Sequence, residues 1–189
     1  MKATILFVPG LRDHVAEHWQ TLLAAELPGS RTVPPLDHDR LSRAARVEAL
    51  DAALAAIEGP VILAAHSAGV LMVAHWARTG RRPVAGALLA TPADIEISLP
   101  AGYPTFDELQ SNGWLPIPRE PLPFRSLVAA SRNDTLGEFD RIAALAAAWA
   151  SELVDVGEVG HLNPAAGFGP WPQARRLLTA LDLRAEPTA

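Results

Sequence analysis

Three runs of this chain, at about residues 3–8, 61–65 and 84–89, are apolar almost throughout and show no alternation with polar side chains. A strand wetted on one face alternates, whereas a strand covered on both faces does not, as in a parallel sheet packed between helices. Further β-type runs at 31–33, 126–130 and 152–156 bring the expected strands to about six. Helical patterns fill the gaps. Trp19, Leu22, Leu23 and Leu27 share one helical face, as do Val47, Leu50, Leu54 and Ile57. Gly59-Pro60 stops the second of these helices before the strand at 61. A helix over about 68–79 closes at Gly80 and offers Leu71, Val73 and Trp76 to the sheet. Thr135-Leu136-Gly137-Glu138 reads as a capping box that opens a helix through about 150, and a last helix covers about 171–182. This order predicts an α/β architecture, about six mostly parallel strands with helices on both faces, as a single domain over 1–189.

Residues 92–123 break the pattern with seven prolines and only brief helical possibilities. A connection this long is more than a turn needs, and it is expected to run over the end of the sheet that carries chemistry.

The motifs cluster after the strands. Ala65-His66-Ser67-Ala68-Gly69 follows the apolar run Val61-Ile62-Leu63-Ala64 and precedes a helix. This is the strand–turn–helix setting of a nucleophile elbow, with Ala65 in place of the usual first glycine of G-x-S-x-G. The plain alternative is that Ser67 only caps the helix. Asn133-Asp134 follows the strand at 126–130, and Gly160-His161 follows the last strand. Ser, Asp, His is the chain order of the α/β-hydrolase triad. A serine hydroxyl needs a neighbouring base, and that base needs an orienting acid. The expected roles are Ser67 as nucleophile, His161 as base and Asp134 as acid, with Asp94 the rival acid and Asp155 a weaker one inside a strand. The backbone N–H groups of Leu11 and Ala68 are the candidate oxyanion hole, and His18, Trp19 and His66 are candidate pocket-lining residues.

The remaining histidines fit the base less well. His66 sits beside the nucleophile and diverges from it, His38 lies in the charged Asp37-His38-Asp39, and His75 is too far along its helix. His14-Val15-Ala16-Glu17-His18 matches H-x-x-E-H, which on a helix would suit a metallopeptidase. No partner helix offers a third ligand, so no metal and no organic cofactor is expected.

Composition narrows the remaining classes. A net charge of −5 does not suit a nucleic-acid or anionic-membrane partner. The chain has no cysteine, which removes disulfides, thiolate–zinc sites and cysteine catalysis, and suits a reducing cytoplasm. No stretch is long and apolar enough to span a bilayer, and the first residues, broken by Pro9-Gly10 and Arg12-Asp13, do not read as a secretory signal.

Several blocks together carry a family likeness: Val8-Pro9-Gly10, Glu17-His18-Trp19-Gln20, Ala65-His66-Ser67-Ala68-Gly69, Leu122-Pro123-Phe124, Ser131-Arg132-Asn133-Asp134, Gly160-His161-Leu162-Asn163-Pro164 and Gly167-Phe168-Gly169-Pro170-Trp171-Pro172. From about residue 4 to 182 the chain resembles the small serine hydrolases of the retinoblastoma-binding protein nine type. The resemblance implies a compact α/β-hydrolase fold with a minimal lid, puts the triad on Ser67, Asp134 and His161, and makes His18-Trp19 a family feature. The retinoblastoma contact is not carried over, because its usual motif needs a cysteine. The expectation is a cytoplasmic serine hydrolase, a monomer or small homo-oligomer, that cleaves a small carboxylic ester, or a short peptide or amide, as its small-molecule acyl substrate. A non-catalytic binding protein on the same fold is the alternative.

Overall fold

The computed structural model describes residues 2–80 and 82–183. Six strands form one parallel sheet in the order β2-β1-β3-β4-β5-β6. They are β1 (Thr4–Val8), β2 (Arg31–Thr32), β3 (Val61–His66), β4 (Gly86–Ala90), β5 (Ser126–Ala130) and β6 (Glu152–Asp155). Every neighbouring pair is parallel, with Val8 level with Ala65 and His66 level with Ala90. The three runs expected to be covered on both faces supply the middle of the sheet, and every residue of β3 and β4 is buried. This is the α/β-hydrolase fold.

Helices α1 (Trp19–Glu26) and α6 (Pro172–Leu183) cover one face, and α2 (Arg43–Ala55), α3 (Ala68–Ala77) and α5 (Phe139–Ala148) cover the other. Each face has its own apolar core. Phe7, Trp19, Ile62, Leu88 and Leu178 meet on the first, and Leu6, Leu50, Leu54, Leu63, Leu71 and Trp149 on the second. No helix among the described residues is long and apolar enough to cross a membrane.

Two local expectations need correction. Thr135 and Glu138 form no capping box: α5 starts at Phe139, and Glu138 holds the cap position without a side-chain bond. The segment before it is instead bent by Asp134, whose Oδ1 accepts from the Leu136 N–H at 2.8 Å. The real capping box lies in the 92–123 segment, where Thr105 and Glu108 exchange bonds at the start of α4 (Phe106–Ser111). On α1 the buried face is Trp19, Gln20 and Leu23, and Leu22 turns partly outward.

Candidate active site

Ser67 stands between β3 and α3 with φ 58° and ψ −128°, a left-handed conformation that a non-glycine residue rarely takes. The turn lifts the side chain clear of the strand end. It closes because its neighbours are small. A Cβ on Gly69 would lie 2.3 Å from the Val8 carbonyl oxygen and 2.6 Å from that of Pro9. Gly10 comes so near that its own Cβ would sit 3.2 Å from the Ser67 Cβ. Although Ser67 occupies the N-cap position of α3, its hydroxyl makes no capping bond.

That hydroxyl meets His161 instead. His161 Nε2 lies 2.8 Å from Ser67 Oγ, and His161 Nδ1 lies 2.8 Å from Asp134 Oδ2. A carboxylate only accepts, so Nδ1–H donates to Asp134 and the Nε2 lone pair faces the serine O–H. The side chains of His161 and Asp134 are 6% and 2% exposed, which shields the pair from water. Asp134 is fully engaged, one oxygen on His161 and the other on the Leu136 N–H. The loops carrying Asp134 and His161 are also stitched to each other. Asn133 Oδ1 accepts from Gly160 N and from Ser131 Oγ, and Ser131 Oγ in turn accepts from Val159 N.

His66 and His18 pack behind His161, edge-on or steeply tilted to one another. Ring centroids are 4.9 Å apart between His66 and His161, and 4.4 Å between His18 and His66. His66 Nε2–H donates to the His161 carbonyl at 2.8 Å, so it braces the base through the backbone. Burial, and then the neighbouring His161 and His18, hold the His66 imidazole well below its usual value. Burial and His161 push His18 down to about 4. Both rings are therefore neutral near neutrality. His18 caps α1 by accepting from the Gln20 N–H, which leaves its proton on Nε2, buried and without a hydrogen-bond partner. Trp19 packs edge-on against Trp171, on the core side of this layer.

The other sequence candidates lie elsewhere. Asp94 is buried under Arg141, which donates to both its oxygens, so it does not reach His161. Asp155 pairs with Arg132 at the surface. The H-x-x-E-H helix does not form: α1 begins at Trp19, His14 and Glu17 are exposed, and His18 is a buried cap. Among the described residues no group of three His, Asp or Glu side chains is placed to hold a metal ion. His38 is exposed, and His75 Nε2–H donates to the Trp114 carbonyl at 3.0 Å.

Residues 5–180 match the family model described as serine hydrolase. This chain is a member of the serine hydrolase family. Among solved structures, one described as a YdeN-like hydrolase from Pectobacterium atrosepticum is 34% identical, with a TM-score of 0.80 over 98% of this chain and 94% of that one. The ydeN gene product of B. subtilis superposes at TM-score 0.73 over 96% and 99% of the two chains, at 19% identity. Est1E from Butyrivibrio proteoclasticus does so at 0.67 over 96% and 89%, at 11% identity. The last two likenesses concern the fold. No curated protein matches the chain.

The hydrolase carries a cavity of about 340 Å³ beside Ser67. Its polar lining includes His18, Gln20, His66 and Asn163, and its apolar lining includes Leu71 together with Ile95, Leu99, Leu109 and Trp114 from the 92–123 segment. Arg12 and Tyr103 face each other at its rim, the guanidinium 5.5 Å from the ring centre.

Sequence reasoning overlooked three supports of this site. Gln20 Nε2 donates to the carbonyls of Val8 and Ala64, tying β1 to β3 just below the elbow. Asn133 joins the acid loop to the base loop, as described above. Arg46 is 5% exposed and bonded to the loop after β1. The signal for Arg46 was present: it precedes Leu50 and Leu54 at helical spacing, a charge on the inward face of α2.

Proposed function

We propose that this hydrolase cleaves small carboxylic esters, or short peptides or amides, through an acyl-enzyme, as a cytoplasmic member of the retinoblastoma-binding protein nine type. The observation that carries the reading is His161, held at 2.8 Å from both Ser67 Oγ and Asp134 Oδ2 beside an apolar cavity.

The chemistry follows from those contacts. Ser67 Oγ attacks the acyl carbon while its proton passes to His161 Nε2. The carbonyl oxygen becomes an oxyanion, to which the N–H groups of Leu11 and Ala68 donate hydrogen bonds. Among the described residues neither N–H has a partner of its own, so both are available. The bond to the leaving oxygen or nitrogen then breaks, and His161 returns the proton to it. Water repeats the sequence: it gives a proton to His161, attacks the acyl carbon and releases the acid, and Ser67 Oγ recovers its hydrogen. Asp134 keeps Nδ1 protonated throughout and stabilises the imidazolium. The apolar lining suits an aliphatic or aromatic acyl group. At about 340 Å³ the cavity lies at the small end of ligand pockets, which suits a small acyl ester rather than a long lipid.

The test is fluorophosphonate labelling read by peptide mass spectrometry, with p-nitrophenyl esters of graded acyl length. Labelling is expected at Ser67, and Ser67→Ala is expected to abolish both labelling and turnover. Undiminished turnover in Ser67→Ala overturns the mechanism.

A further inference from the structure

We propose that Arg46 is the positioning residue of the oxyanion hole, fixing the loop after β1 so that the Leu11 N–H is aimed at the reacting carbonyl. The inference rests on the acyl-enzyme reading above.

Arg46 lies on α2, outside the cavity, yet its guanidinium is nearly fully buried. Nη1 donates to Asp13 Oδ1 at 2.9 Å, Nη2 donates to the Leu11 carbonyl at 3.2 Å, and Nε donates to the Arg40 carbonyl at 2.6 Å. The loop it grips is short and bent. The Asp13 N–H closes a turn onto the Gly10 carbonyl at 3.0 Å, and Asp13 has φ 54°. Left-handed backbone in a non-glycine residue persists only where its surroundings enforce it. Here the Asp13 side chain is clamped by Arg46, so the conformation is held at both ends of the turn. Gly10, first residue of that turn, packs against Ser67. The loop is therefore gripped by Arg46 on one side and seated on the nucleophile on the other, with the Leu11 N–H unpartnered between them.

Arginine is suited to this because its planar fork reaches carbonyl and carboxylate together, whereas a lysine ammonium, a single point on a flexible stem, does not keep all three bonds. A burial this complete also needs partners for every donor, and the partners chosen are two parts of the oxyanion loop and the neighbouring Arg40 carbonyl. Arg46 touches neither substrate nor triad, and it acts through Leu11.

The experiment compares wild type with R46K, using p-nitrophenyl acetate turnover and inhibition by a trifluoromethyl ketone. In the adduct Ser67 Oγ bonds to the carbonyl carbon, its proton goes to His161, and the former carbonyl oxygen becomes the oxyanion. R46K is expected to lower kcat roughly tenfold to a hundredfold, less than outright removal of an oxyanion donor. Affinity for the ketone is expected to fall by the same factor, with KM within about twofold and the acid limb of the pH–rate profile unmoved. A merely structural role would not weaken the oxyanion adduct in step with kcat. Folding is read first by circular dichroism. Should R46K fail to fold, D13N carries the same test, because it keeps the side-chain shape while removing the charge that Arg46 grips, and the same paired loss is expected. Unchanged ketone affinity in a folded variant overturns the assignment of Arg46. Wild-type protein that is not labelled at Ser67 overturns the parent reading and this one with it.

Discussion

Acid is expected to destabilise this protein through His18, by an amount the structure allows to be worked out. Its imidazole is buried against His66 and pushed down to about 4, while in the unfolded chain it titrates near 6.5. A base whose folded value is depressed binds fewer protons when folded, so stability is complete above about 6.5 and drains away as the pH falls toward about 4. Linkage then gives a loss of about 2 kcal/mol between about pH 7.5 and about pH 5 from His18 alone. His66 acts in the same direction for the same main reason, burial. The assay is urea unfolding at both pH values for wild type and His18→Asn, which keeps a capping side chain but does not titrate. Groups remote from His18 cancel in the comparison. The variant is expected to lose about 2 kcal/mol less stability than wild type on acidification. Parallel loss in the two proteins would refute the claim that burial holds His18 neutral.

Three further substitutions separate catalytic from structural carboxylates and test the elbow. Asp134→Asn is expected to lower kcat by about four orders of magnitude, as loss of a triad acid does elsewhere, with little change in melting temperature. Asp94→Asn is expected to do the reverse, costing about 1–3 kcal/mol in urea unfolding by weakening the buried bonds that Asp94 accepts from Arg141, while turnover stays near wild type; the opposite pattern means that Asp94 is the acid. Gly69→Ala drives a Cβ into two backbone carbonyls that cannot yield, so a loss of about 3 kcal/mol or more is expected by the same assay, and a variant as stable as wild type would contradict the packing described at the elbow.

The sheet was legible because its strands are covered on both faces: Val61–His66 reads the same in one dimension as it packs in three. Ser67 and His161 were legible because small residues and glycines beside them announce tight turns. What escaped was polar residues turned inward. Gln20 and Arg46 sit on helical faces where an apolar residue is the norm, and only the tertiary partners, strand-end carbonyls and a bent loop, explain them. The start of α5 was misplaced for a related reason. Thr135 and Glu138 have the spacing of a capping box, but Asp134 uses its second oxygen on the Leu136 N–H, and Gly137 packs against the Pro92 carbonyl, which delays the helix. Local sequence favoured one turn, and the demands of the acid loop selected another.

The 92–123 segment has a consequence for how substrate reaches Ser67. Trp114 is 1% exposed, its indole N–H is bonded to the Leu41 carbonyl and its own carbonyl faces His75, while Leu109 and Ile117 belong to the main core. A cover rooted in this way cannot swing aside without tearing the core open. Such an enzyme has no trapdoor for an oil–water boundary to spring. A rate that tracks dissolved substrate and does not jump at a droplet surface is the expected outcome.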